Sequence, residues 1–117
     1  MSVLIIEDDD EIREILAEML TDKGYPVITA RNGVEGLTAM RSSLLPCVVL
    51  LDLMMPVMDG WALRREMLAD PKLAQIPVVV VSGAADLESK ASQLKAACVL
   101  TKPVKWPVLL DSVRAHC

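Results

Sequence analysis

The chain has no phenylalanine, and aromatic residues make up only 3% of its 117 residues. A core without large rings must be aliphatic. Hydrophobic residues, at 53%, supply one in valine, leucine, isoleucine, methionine and alanine. The only histidine, His116, stands next to the last residue, so no histidine-based site is expected. There is no excess of positive charge. Twelve basic and 16 acidic side chains give a net charge of −4, which argues against a nucleic acid or an anionic membrane as the main partner. Long apolar runs are also missing. Runs such as Pro46 to Leu51 are far below a membrane span. The start, MSVLIIEDDD, lacks the basic segment and apolar length of a secretion signal. The three cysteines, Cys47, Cys98 and Cys117, do not have metal-ligand spacing. They are expected to be small core side chains in a protein of the reducing cytosol, with only Cys117 exposed.

Two periodicities alternate along the chain. Short apolar runs at 3–6, 27–30, 47–51, 78–81 and 98–101 predict strands. Between them, Ile12, Ile15, Leu16, Met19 and Leu20 recur at helical spacing, as do Val34, Leu37 and Met40 behind a capping Asn32. Gly24 stops the first helix, and Asp59 caps a helix through 60–68. A polar, alanine-rich helix is expected over 85–96, capped by Asp86, and Trp106-Pro107 opens a last helix carrying Val108, Leu109, Leu110 and Val113. Three of the strands are apolar from end to end, which implies burial on both faces. Strand–helix alternation, repeated five times without a linker, predicts one α/β domain over 1–117. Its parallel sheet would carry helices on both sides.

In such a sheet, ligands bind beyond the carboxyl ends of the strands. Glu7, Asp8, Asp9 and Asp10 follow the first strand, Asp52 the third, Ser82 the fourth and Lys102 the fifth. If strand one lies beside three, three beside four and four beside five, acids, a hydroxyl and an ammonium converge on one rim. Crowded carboxylates repel unless a cation joins them. Oxygen ligands with room for water suit Mg²⁺, and Mg²⁺ suits phosphate. Asp52 can then be a nucleophile that forms an acyl phosphate, with Ser82 and Lys102 holding the phosphoryl oxygens. Asp9, Asp10 and Asp59 are better explained as helix-start and capping residues, and Met54, Met55 and Met58 as adaptable packing.

These residues resemble the receiver domain of two-component response regulators over essentially the whole chain. The likeness rests on the acid pair Glu7-Asp8, on Asp52 in LLDLMMPVMDG, on Ser82 in VVVVSGAAD and on Lys102 in LTKPV. It implies a flavodoxin-like (βα)5 fold of strand order 2-1-3-4-5. It also implies that Asp52 accepts a phosphoryl group from a histidine kinase or a histidine phosphotransfer protein. Asp8, Asp52 and the main-chain carbonyl of Met54 would bind Mg²⁺, with Glu7 helping through water. Ser82 and Lys102 would contact the phosphoryl group, and Pro56 and Gly60 would shape the following loop. The implied protein is a cytoplasmic signalling switch rather than an enzyme, without direct contact to nucleic acid or membrane. Its unidentified output partner would use the face of the last two helices and the fifth strand. Val99 stands where the family usually has an aromatic ring, and Val104 follows the Lys-Pro pair in place of another. Met54 and Ala84 occupy positions that tune dephosphorylation in the family; neither is polar, which implies slow self-dephosphorylation. Two alternatives remain open: an interaction module independent of phosphorylation, and a Mg²⁺-dependent phosphatase, for which Met54 replaces the second Asp required.

Overall fold

The computed structural model describes residues 1–42, 45–83 and 92–117. In chain order the elements are β1 (Val3–Ile6), α1 (Asp10–Asp22), β2 (Val27–Ala30), α2 (Gly33–Ser42), β3 (Val48–Asp52), α3 (Gly60–Ala69), β4 (Val78–Ser82), β5 (Cys98–Thr101) and α4 (Trp106–Arg114). The strands form one all-parallel sheet of order β2-β1-β3-β4-β5. Most of the helix expected over 85–96 lies outside the described residues; 92–94, at its end, are helical.

Alternation along the strands divides the interior into two cores, because successive side chains of a strand point to opposite faces. On one face Leu4, Ile6, Val49, Leu51, Val78 and Val80 pack with Leu37 and Met40 of α2 and Leu63 and Met67 of α3. On the other, Val3, Ile5, Val48, Leu50, Val79 and Val81 pack with Leu20 of α1 and Leu109, Leu110 and Val113 of α4. The central strands β1, β3 and β4 are buried throughout, whereas the edge strands β2 and β5 are only partly covered.

Local chemistry sets the element ends. Asp9 caps α1, accepting the Ile12 N–H at 3.1 Å, and Asn32 accepts from Glu35 N–H at 3.0 Å ahead of α2. Asp59 caps α3 through the Ala62 N–H at 2.8 Å. Gly24, at φ +92, ends α1 in the left-handed region that glycine tolerates. The turn before β5 has no glycine, and Lys95 takes φ +51 there. The buried Arg64 of α3 reaches this turn, donating from Nε to the Leu94 carbonyl at 2.7 Å and from Nη2 to the Lys95 carbonyl at 3.2 Å.

Three expectations are corrected. First, β3 and β4 each run one residue further than their apolar runs, taking in Asp52 and Ser82. Ladder pairing continues through these residues, since Asp52 is level with Val81 and Ser82 with Thr101. Second, Cys47 and Cys117 are not separate side chains. They form a disulfide across 70 residues, with Cα atoms 5.5 Å apart; Cys98 is free and partly buried. Third, the apolar stripes are less covered than their spacing implies: Ile15, Val34 and Val108 are exposed. Periodicity marks a helix face, but it does not say how much of that face the sheet covers.

Candidate functional site

The site lies at the carboxyl edge of the three central strands, closed on one side by the end of β5. Strand β3 delivers Asp52 as its last residue, 5% exposed. Glu7 follows β1 and is equally buried, while Asp8 is exposed. Carboxylate oxygens of Glu7, Asp8 and Asp52 all lie within 4.8 Å of one another. Lys102, just after β5, places Nζ 3.3 Å from Glu7 Oε1 and 3.4 Å from Asp52 Oδ2. Ser82 ends β4 fully buried, and its carbonyl accepts the Lys102 N–H at 3.0 Å. Glu7, Asp8, Asp52, Met54, Gly83 and Lys102 line an open cavity of about 430 Å³. The predicted acids, serine and lysine are therefore gathered at one rim.

The loop after β3 is fitted closely to Asp52. The Met54 N–H donates to Asp52 Oδ1 at 3.2 Å and holds the carboxylate's orientation. Gly60 N–H returns to the Leu53 carbonyl at 3.0 Å. A Cβ on Gly60 would lie 2.7 Å from the Asp52 carbonyl oxygen and 2.8 Å from Leu53 Cα, so no larger residue fits without moving backbone. Val57 follows Pro56 with φ +70, and the Met58 N–H closes the turn onto the Pro56 carbonyl at 2.8 Å. Such a conformation is strained for a β-branched residue. Met55 is buried and Met58 partly so, as packing residues should be, but Met54 is 69% exposed at the cavity mouth. Ala84 lies outside the described residues.

Electrostatics show what the cluster needs. Burial, reinforced by the hydrogen bond and negative charge of Asp52, pushes the Glu7 carboxyl from 4.5 up to about 7. Burial opposes the charge on Lys102, but Asp52 and Glu7 outweigh it and raise the ammonium's pKa. With all three acids ionised, one ammonium leaves the cluster with two excess negative charges. Protonation of Glu7 relieves part of this excess, and a divalent cation would relieve all of it. An all-oxygen donor set of this spacing fits a hard cation such as Mg²⁺.

Sequence reading missed Arg13. Its guanidinium donates from Nη1 to the Glu7 carbonyl at 2.9 Å and pairs through Nη2 with Asp10, bracing the turn that presents the acids. An arginine four residues inside a helix looks like any surface arginine until the helix and the strand end are joined.

A parallel sheet of order 2-1-3-4-5 with an acidic rim and an opposed lysine defines a doubly wound α/β domain with a cation-binding carboxyl edge as its candidate site. Residues 3–114 match the model of the response regulator receiver domain, and the chain belongs to that family. It is 38% identical over 120 residues to the response regulator PleD of Caulobacter vibrioides, a match covering 97% of this chain and 25% of PleD. The crystal structure of the receiver domain of a signal transduction histidine kinase from Syntrophus aciditrophicus superposes with a TM-score of 0.89. It is 32% identical, with 98% of this chain and 88% of that one covered. The Mn²⁺-bound form of response regulator Rcp1 is 26% identical with a TM-score of 0.79, covering 97% of this chain and 89% of that one. The chain spans a quarter to about half the length of PleD and other curated regulators that it matches.

Proposed function

We propose that residues 1–117 form one receiver domain in which Asp52 accepts a phosphoryl group from a phosphohistidine on a sensor kinase or phosphotransfer protein. The observation that carries this reading is the Asp52 carboxylate itself. It is buried, held at Oδ1 by the Met54 N–H, approached at Oδ2 by Lys102 and flanked by two further acids. A carboxylate oxygen of Asp52 attacks phosphorus; the O–P bond forms as the N–P bond to the donor imidazole breaks. The product is an aspartyl phosphate and a free histidine on the donor. Lys102 balances the charge gathering on the phosphoryl oxygens, and the Ser82 hydroxyl donates to one of them. Asp8, Asp52 and the Met54 carbonyl, with Glu7 through water, would hold Mg²⁺, which when bound shields the phosphoryl oxygens from the carboxylates. The Mn²⁺-bound Rcp1 neighbour supports a divalent site of this kind.

On this reading the domain is a switch that catalyses at most its own phosphorylation and dephosphorylation. It works in the cytoplasm and signals to its output partner through the face formed by the helix expected over 85–96, β5 and α4. No helix among the described residues is long and apolar enough to cross a membrane. Val99 packs against the α2–α3 core in place of an aromatic ring, so the output signal runs through the Ser82–Lys102 edge rather than through a swinging ring.

The test is intact-mass analysis after incubation with acetyl phosphate and Mg²⁺. One phosphoryl adduct is expected, absent in Asp52→Asn and in the presence of EDTA. An adduct that survives Asp52→Asn would move the acceptor elsewhere. If there is no adduct and beryllofluoride with Mg²⁺ leaves Tm unchanged, the phosphorylation reading fails.

A further inference from the structure

Cys47 lies five residues before Asp52, at the opposite end of β3, and its disulfide partner Cys117 follows α4. The bond therefore joins the end of a helix to the base of the central strand, far from the acidic rim. Helix α4 is nine residues long, and its N-cap, Lys105, makes no side-chain capping hydrogen bond. Beside its first turns, Val81, Lys102, Val104 and Leu109 line a cavity of about 460 Å³. Leu109, Leu110 and Val113 anchor the helix in the core. Its two ends thus differ: the first is loosely packed next to Lys102, and the last is covalently tied.

Each cysteine also makes a backbone hydrogen bond beside the S–S bond. The Cys47 N–H donates to the Ser2 carbonyl and the Cys117 N–H to the Val113 carbonyl, each at 2.9 Å. Val113 is fully buried in the same cluster as Cys47. With Val113 anchored in that cluster, breaking the S–S bond keeps the two thiols within a short search of each other, so re-formation costs little chain entropy. Cys117 is exposed and offers a sulfur to an incoming thiol, while Cys47 is 5% exposed. Cys98, partnered by the Ser112 hydroxyl at 3.8 Å, takes no part.

We infer that Cys47 and Cys117 form a reversible thiol–disulfide switch that clamps α4 to the base of β3 when oxidised and loosens that helix when reduced. The exchange partner is a small-molecule disulfide such as glutathione disulfide. The Cys117 thiolate attacks one of its sulfurs, breaking the glutathione S–S bond and releasing one glutathione. The Cys47 thiolate then attacks the Cys117 sulfur of the mixed disulfide and releases the second. One protein dithiol and one glutathione disulfide become one protein disulfide and two glutathiones, and reduction is the reverse. Reversibility follows from the cytoplasmic compartment proposed above, where thiols are kept reduced and disulfides are transient and redox-sensing. That step rests on the proposed compartment; the geometry does not.

The test equilibrates the full chain in glutathione buffers from fully reduced to fully oxidised. Free thiols are then trapped with an alkylating reagent and counted by intact mass, and hydrogen exchange is followed over 106–116 and 48–52. Three alkylated cysteines are expected at the reduced end and one at the oxidised end, with the midpoint inside the range. Reduction should speed amide exchange in 106–116 by about tenfold and leave 48–52 unchanged. Cys117→Ser, a change at an exposed position, should show the fast exchange at every ratio. Three alkylated cysteines throughout would mean that the pair does not form. One throughout would mean a permanent structural bond and argue against the cytoplasmic compartment. Exchange in 106–116 that ignores the bond would show that it clamps nothing. None of these readouts depends on phosphorylation of Asp52, so the two readings fail separately.

Discussion

Glu7 is a buried acid whose proton the fold retains, and that has a measurable consequence. Folded Glu7 titrates at about 7, against 4.5 for an ordinary glutamate. Between these values the folded chain holds a proton that the unfolded chain has released, so stability falls as pH rises from about 4.5 and levels off above 7. At ~1.4 kcal/mol per pH unit, the rise sets a ceiling of about 3 kcal/mol. Solvent entering the open cavity screens the charges, so the expected loss is about 1–2 kcal/mol. Glu7→Gln keeps the shape and removes the titration. In EDTA the variant and the parent should unfold at similar urea concentrations at pH 5. At pH 8 the variant should be the more stable by about 1–2 kcal/mol. Excess Mg²⁺ at pH 8 should shrink or reverse that gap, because the ion stabilises the parent's fully ionised cluster more than the variant's, which keeps Asp8 and Asp52 but lacks the Glu7 charge. Parallel pH profiles for the two proteins in EDTA would refute the reasoning, as would a variant less stable than the parent at pH 8.

Further outcomes follow from the packing. Arg64→Met leaves the Leu94 and Lys95 carbonyls without their donor and should lower stability by about 2–3 kcal/mol in urea titrations. Lys95→Gly relieves the left-handed residue at φ +51 and should raise stability by about 0.5–1 kcal/mol, read as a higher Tm. Gly60→Ala drives a methyl group into the Asp52 carbonyl and Leu53 Cα. It should destabilise the fold by about 2 kcal/mol or more and slow acetyl-phosphate labelling even where the protein remains folded.

Much of the fold was readable because burial leaves a direct mark on sequence. Strands β1, β3 and β4 are covered on both faces, and their apolar runs are unbroken. The acids, Ser82 and Lys102 were readable as a set because a parallel sheet brings every strand's carboxyl end to one edge. What could not be read depends on contacts between distant segments. Nothing in 47–51 announces that Cys47 meets Cys117 across 70 residues. Arg13 and Arg64 look like ordinary helix-surface arginines until the carbonyls of Glu7, Leu94 and Lys95 are seen beneath them. The missing glycine before β5 was visible; that Lys95 would take the left-handed conformation in its place was not.

The hydrogen bond from the Lys102 N–H to the Ser82 carbonyl also bears on how many independent motions the site possesses. Hydroxyl and ammonium are borne by neighbouring strand ends that this bond links directly. A ligand that moved the Ser82 end would strain this bond to Lys102, the residue that leads through Pro103 towards α4. The carboxyl ends of β4 and β5 are thus joined one residue beyond their last ladder pair, Ser82 with Thr101. On the proposed function, a phosphoryl group held by Ser82 and Lys102 would therefore load both strand ends together rather than one at a time.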